Sequence, residues 1–125
     1  MPKTTDYQIC RAEDKKDAVD IGGFKIEPLT SSDIMEHLLV TIQPGVQTQT
    51  FQHHGEEITI ILEGELDIIL DGTAHHLEKN DSIWHNSSVP HQWVNASDKV
   101  TRVSTVASPC SYSKLVRESQ KDKKE

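Results

Sequence analysis

Long apolar runs are missing from this sequence. No stretch is long enough to cross a bilayer as a helix, which takes about 20 residues. The opening MPKTTDYQIC has no apolar core of a signal peptide, so no membrane partner is expected. Cysteine is scarce. Cys10 and Cys110 lie a hundred residues apart and form no CxxC pair, which suits a reduced, cytoplasmic protein, with a disulfide between the chain ends as the alternative. In that compartment the sequons at Asn86 and Asn95 carry no sugar. Basic residues are outnumbered, 13 against 20 acidic, and the net charge of −7 repels phosphate backbones. Direct nucleic-acid binding is therefore not expected. Internal repeats are also absent, and no linker interrupts the body.

Hydrophobic residues amount to only 34% of 125, and the polar, Lys-rich ends RAEDKKD and ESQKDKKE account for much of the shortfall. The length suits one domain and leaves no room for two cores. The expected organisation is a polar segment over 1–19, a compact body over 20–113 and a charged tail over 114–125.

Within the body the periodicity is that of strands. Ile58-Thr59-Ile60-Ile61-Leu62 is β-branched and too short for a globular helix, and Leu66, Ile68 and Leu70 alternate with Asp67, Ile69 and Asp71. Gly64 between these runs suits a bulge, and Asp71-Gly72 a tight hairpin. Gly23 to Leu29, Glu36 to Ile42 and Val100 to Val106 also read as strands. Roughly eight short strands broken by Gly, Pro, Asn and Asp give an all-β sandwich or small barrel. Ser31 to His37 reads as a helical turn, and Ser113 to Gln120 as a terminal helix.

Seven histidines are present: His37, His53, His54, His75, His76, His85 and His91. In QTQTFQHHGEE, extended backbone puts Gln47, Gln49, Phe51 and His53 on one face, and Glu57 follows across a turn at Gly55. His91 follows Pro90, opens HQWVN, and shares its face with Trp93 and Asn95. Two neutral imidazoles and one carboxylate form a facial triad that leaves coordination positions open, as a catalytic or ligand-binding metal needs. The alternative is a hydrogen-bonded cluster in a metal-free pocket. Glu56 and His54 fall on the opposite face from Glu57 and His53, and His75 and His76 read as surface strand residues. Phe51, Trp84 and Trp93 are candidates for an apolar pocket wall or for barrel filling. Gln47, Gln49 and Asn95 are candidates to hydrogen-bond a substrate or support a ligand.

These residues resemble the two motifs of the cupins. Gly45, His53, Glu57 and Gly64 fall in register with the first, and His91 and Asn95 match the second. The resemblance implies a double-stranded β-helix, or jelly-roll, barrel. PGVQTQTFQHHGEEITIILEGELDIILDG and NDSIWHNSSVPHQWVN look most like the cupin domains at the C-terminal end of helix-turn-helix regulators, and YQICRAEDKKD resembles the linker before such domains. Phe51 stands where the first motif has its leading His, and Asn80, Asn86 and Ser88 replace Gly, Pro and Gly of the second. The reduced set His53, Glu57 and His91 is similar to that of the hydroxypropylphosphonate epoxidase type, a non-haem iron enzyme. His85, in a Trp84-His85 pair where aromatic pairs are common, is a candidate to replace the missing ligand.

Three functional classes stay open at this point. One is a mononuclear Fe, Mn, Ni or Zn enzyme of dioxygenase, oxidoreductase or isomerase type acting on a small polar or acidic metabolite. The second is a sensor or binding module, with or without metal. The third, storage, fits least. Some twenty residues precede the body, too few for a helix-turn-helix. A homodimer is expected, because Ile58, Ile60 and Leu62 would leave the outer face of their strand apolar.

Overall fold

In the computed structural model, residues 6–14 and 18–110 are described. After a 3-10 turn at Ala12–Asp14, nine strands follow: β1 Val19–Ile21, β2 Phe24–Ser31, β3 Glu36–Ile42, β4 Glu56–Glu63, β5 Glu65–Leu70, β6 Thr73–Glu78, β7 Ser82–Asn86, β8 His91–Val94 and β9 Thr101–Ser108. They form a six-stranded sheet in the order β1-β2-β3-β9-β4-β7 and a three-stranded sheet β6-β5-β8, with antiparallel pairing throughout. The two sheets make the jelly-roll barrel.

Period-two alternation decides what faces inward. On β9, Thr101, Val103, Thr105 and Ala107 are buried while Arg102, Ser104, Val106 and Ser108 are only partly covered. On β4, Glu57, Thr59 and Ile61 point inward, and Ile58 and Leu62 outward. Phe24, Ile26, Leu38, Val40, Ile42, Ile61, Leu66, Ile68, Trp93 and Val103 form the core. Inward threonine hydroxyls are paired: that of Thr105 donates to the Ile58 carbonyl (3.2 Å) and accepts from Thr59 Oγ1 (2.8 Å). Gly64 joins β4 to β5 at a positive φ of 83°, where a Cβ would run into the backbone and hydroxyl of Thr101. Asp71-Gly72 makes the expected hairpin, both residues at positive φ.

Two expectations change. Ser31 to His37 is not a helical turn. β2 runs through Ser31, β3 starts at Glu36, and the link is a tight connection in which Ser32 Oγ accepts from the amides of Ile34 and Met35. Ser32 satisfies these amides locally, so no helical ladder is needed. Gln47 to His53 is extended but mostly outside the ladders, touching β8 only at the bridges Gln47↔Val94 and Phe51↔His91. The expected helix at Ser113 to Gln120 lies outside the described residues.

Candidate metal centre

Glu57 is the first inward residue of β4, and the register sets it between His85 on β7 and Ala107 on β9. His91 is the first residue of β8, and the backbones of Phe51 and His91 exchange both hydrogen bonds, at 2.8 and 2.9 Å. His53 follows on that extended segment and is fixed where its amide donates to the Ser87 carbonyl (3.0 Å). Ser87 in turn donates its amide to Gly55 (2.8 Å), closing the turn between His53 and Glu57.

The three side chains converge. His53 Nε2 and His91 Nε2 each lie 3.6 Å from Glu57 Oε2. One donor atom from each residue lies within 4.8 Å of the others, a grouping that can hold a metal ion. The Glu57 carboxylate is fully buried and the His91 side chain is 2% exposed, while His53 keeps 30% exposure.

Backbone carbonyls set the tautomers. His91 Nδ1 faces the Val89 carbonyl at 2.8 Å, and His53 Nδ1 faces that of His54 at 3.3 Å. A carbonyl only accepts, so Nδ1 carries the proton and Nε2 presents its lone pair to the centre. Burial pushes the His91 pKa below the usual histidine range, against the opposing effects of the Val89 carbonyl and Glu57. The ring is thus neutral near pH 7, the form that ligates metals. His91 Nε2 is buried with no hydrogen-bond partner. An orphaned lone pair beside a buried carboxylate fits a cation between them.

A cavity of about 340 Å³ adjoins the centre, lined by Ile21, Gly22, Phe24, Ile26, Val40, Gln47, Thr48, Gln49, Phe51, His91, Gln92 and Trp93. No Lys, Arg, Asp or Glu is among these residues. His91 belongs to both cavity and centre.

The remaining candidates divide by location. Phe51 stands in the cavity wall with its ring 6.2 Å from that of His91, and Trp93, Gln47 and Gln49 line the same space. His85 is buried beside Glu57. Asn95 does not reach the centre or the cavity lining. Its Nδ2 donates to the carbonyls of Ile42, Gln43 and Lys99, and its Oδ1 accepts from the amide and hydroxyl of Ser97. Trp84 is a correction: it is 59% exposed on the outer face, with Nε1 donating to Glu56. Alternation on β7 turns His85 inward, so its neighbour must face out. His54, His75 and His76 are exposed, and His37 pairs with Ser104. Ser87 was not anticipated. It is fully buried with Oγ 3.5 Å from Glu57 Oε2, and a serine in a loop gives no sequence signal of that position. Phe24, Ile26 and Val40 were legible only as strand residues, and Ile21, on β1, lies ahead of the first strand expected from the sequence.

The family model for the cupin domain matches residues 38–107, more than half of the chain. The chain belongs to the cupin family. A curated relative of this cupin is the HTH-type transcriptional regulator PuuR of Escherichia coli K12, 34% identical over 73 residues, which are 58% of this chain and 40% of the regulator. The match therefore spans less than half of that relative. Among solved structures, an RmlC-like cupin from Shewanella frigidimarina superposes with a TM-score of 0.75 at 19% identity, covering 83% of this chain and 92% of that one. The cupin domain of an XRE family transcriptional regulator from Enterobacter cloacae gives 0.64 at 19% identity, covering 68% and 95%. At such identities the likeness of these two structures is one of fold.

Proposed function

We propose that this cupin holds one divalent transition metal through His53, Glu57 and His91 and captures a small molecule in the adjoining cavity. The observation that carries the reading is the pair of imidazole Nε2 atoms, each 3.6 Å from one buried carboxylate oxygen, the buried one on His91 lacking any other partner. Iron, manganese, nickel and zinc all suit two imidazoles and a carboxylate, and a bound ion would supply Lewis acidity or, if redox-active, electron transfer. The protein's own part is to orient two imidazole rings and a carboxylate and to exclude water behind Phe51 and Trp93. Because the cavity lining carries no cationic side chain, an acidic ligand would have to put its oxygens at the centre and its apolar portion against Phe24, Ile26 and Val40.

The expected result is near-stoichiometric metal after expression with Fe, Mn, Ni and Zn. His91→Ala would lose it with the fold intact, and His75→Ala would keep it. No metal under any supplement, or equal loss in both variants, overturns the reading.

A second reading is a sensor without turnover, and the 34% identity to a transcription regulator favours it. Oxygen uptake or product formation against small acids, amino acids and thiols separates the two. We further propose a homodimer through the outer face of β4 and β7, where Ile58 is 54%, Leu62 39% and Trp84 59% exposed. A cytoplasmic location is supported by the two free thiols, Cys10 and Cys110, and the net charge of −7 argues against direct contact with nucleic acid.

A further inference from the structure

Phe51, two residues ahead of His53 on the extended segment, offers no donor atom, and its ring stands in the cavity wall. Another imidazole stands beside the same carboxylate. His85 is 4% exposed, its ring centroid lies 4.7 Å from that of His91, and its Nε2 is 3.8 Å from Glu57 Oε1. His85 Nδ1 faces the Asn86 carbonyl at 3.2 Å, so the proton sits there and Nε2 presents a lone pair. That Nε2 is buried and has no hydrogen-bond partner, a condition it shares with His91 Nε2 and with no other side-chain atom among the described residues. His85 is not among the cavity-lining residues, so a ligand in that space does not account for it.

We infer that His85 is a fourth protein ligand of the metal centre proposed above, supplied by β7. Two donors bonded to one ion at about 2.1 Å lie at most about 4.2 Å apart. The contacts of His53 and His91 with Oε2, at 3.6 Å, and of His85 with Oε1, at 3.8 Å, are inside that span, while the donor atoms that all lie within 4.8 Å of one another are those of His53, Glu57 and His91, so the His85 ring has to close toward them when an ion binds. A carboxylate ligates through one oxygen or both. Glu57 therefore joins the His53–His91 side of the centre to the His85 side. The strand register makes this possible: Glu57 and His85 are direct cross-strand partners on the inward face, so their side chains rise next to each other. A purely structural histidine would have both ring nitrogens satisfied.

The test uses the full chain and Zn(II) or Co(II) alone. His85→Asn keeps a donor near the Nδ1 position for the Asn86 carbonyl and removes Nε2. Chelator competition should show Zn(II) affinity lowered by more than about 100-fold, the upper end of what loss of a supporting partner costs. X-ray absorption should count three imidazoles on the metal in the parent and two in the variant. His85→Phe, which removes the orphaned nitrogen, should raise the melting temperature of the metal-free protein while weakening metal binding. A structural role predicts the reverse, a lower melting temperature and unchanged binding. Equal affinity and equal imidazole count in parent and His85→Asn overturn the inference and leave the three-residue centre standing. A parent that takes up no metal overturns both.

Discussion

Replacing Asn95 by Ala separates scaffold from site. The side chain is fully buried, and its five hydrogen bonds go to the backbone or hydroxyl of Ile42, Gln43, Ser97 and Lys99. They tie the end of β3 to the loop that leads into β9. The Asn95 backbone holds the same junction, accepting from Gly45 (2.8 Å) and donating to Val46 (2.9 Å). A net hydrogen bond contributes about 1 kcal/mol, and a buried group stripped of its partner costs about 1–3 kcal/mol. Water cannot easily replace the amide at a site with no exposure, so Asn95→Ala should destabilise by about 3 kcal/mol. For a small domain this lowers the melting temperature by about 10–15 °C. Chemical denaturation of both proteins, with metal analysis of the folded fraction, checks it. Asn95→Asp should be no better, since a carboxylate would face three carbonyl oxygens. A loss below about 1 kcal/mol, or metal loss without loss of stability, would refute the reasoning and return Asn95 to the site.

Other consequences are equally direct. Gly55 has φ of +121°, and a Cβ there would strike the Ser108 carbonyl and Pro109 Cδ; Gly55→Ala should distort the turn joining His53 to Glu57, lowering both stability and metal content. Normal metal content at unchanged stability would argue against that turn as the positioning element. The exposed His76 ring contacts Asp67 (2.6 Å), Glu65 (3.2 Å) and Glu78 (3.9 Å), and its pKa is raised, chiefly by the hydrogen bond to Asp67. A raised folded pKa stabilises fully below the unfolded value near 6.5, and the benefit is lost as pH rises through the folded value. His76→Gln should therefore cost stability at pH 6, by less than about 1 kcal/mol at this solvated site, and nothing at pH 9. A pH-independent difference in denaturation midpoint would contradict it. Trp84→Glu should convert a dimer to a monomer in sedimentation without loss of fold; an unchanged mass would move the interface elsewhere or remove it.

The all-β class, the faces of β4 and the nearness of His53 to Glu57 were legible because each depends on local spacing, while His91, far along the chain, was legible through its resemblance to the second cupin motif. Period-two alternation assigns inward and outward positions before any partner strand is known, and two residues of the proposed centre, His53 and Glu57, are four positions apart. The same alternation set Glu56 and His54 aside. Trp84 was misread because aromatic character was followed rather than the register of β7, which a short strand does not reveal by itself.

The amino-acid sequence alone determined which side of each strand is buried, and so which polar side chains must meet inside a barrel. Cross-strand register, the backbone carbonyls that fix each imidazole and the depth of every side chain arise only when distant segments pair. The tertiary structure therefore decided that Asn95 serves the scaffold, that Ser87 lies against Glu57, that the cavity lining is uncharged and that His85 stands beside the carboxylate. Each of these depends on contacts between residues about thirty to fifty positions apart, which no local pattern encodes.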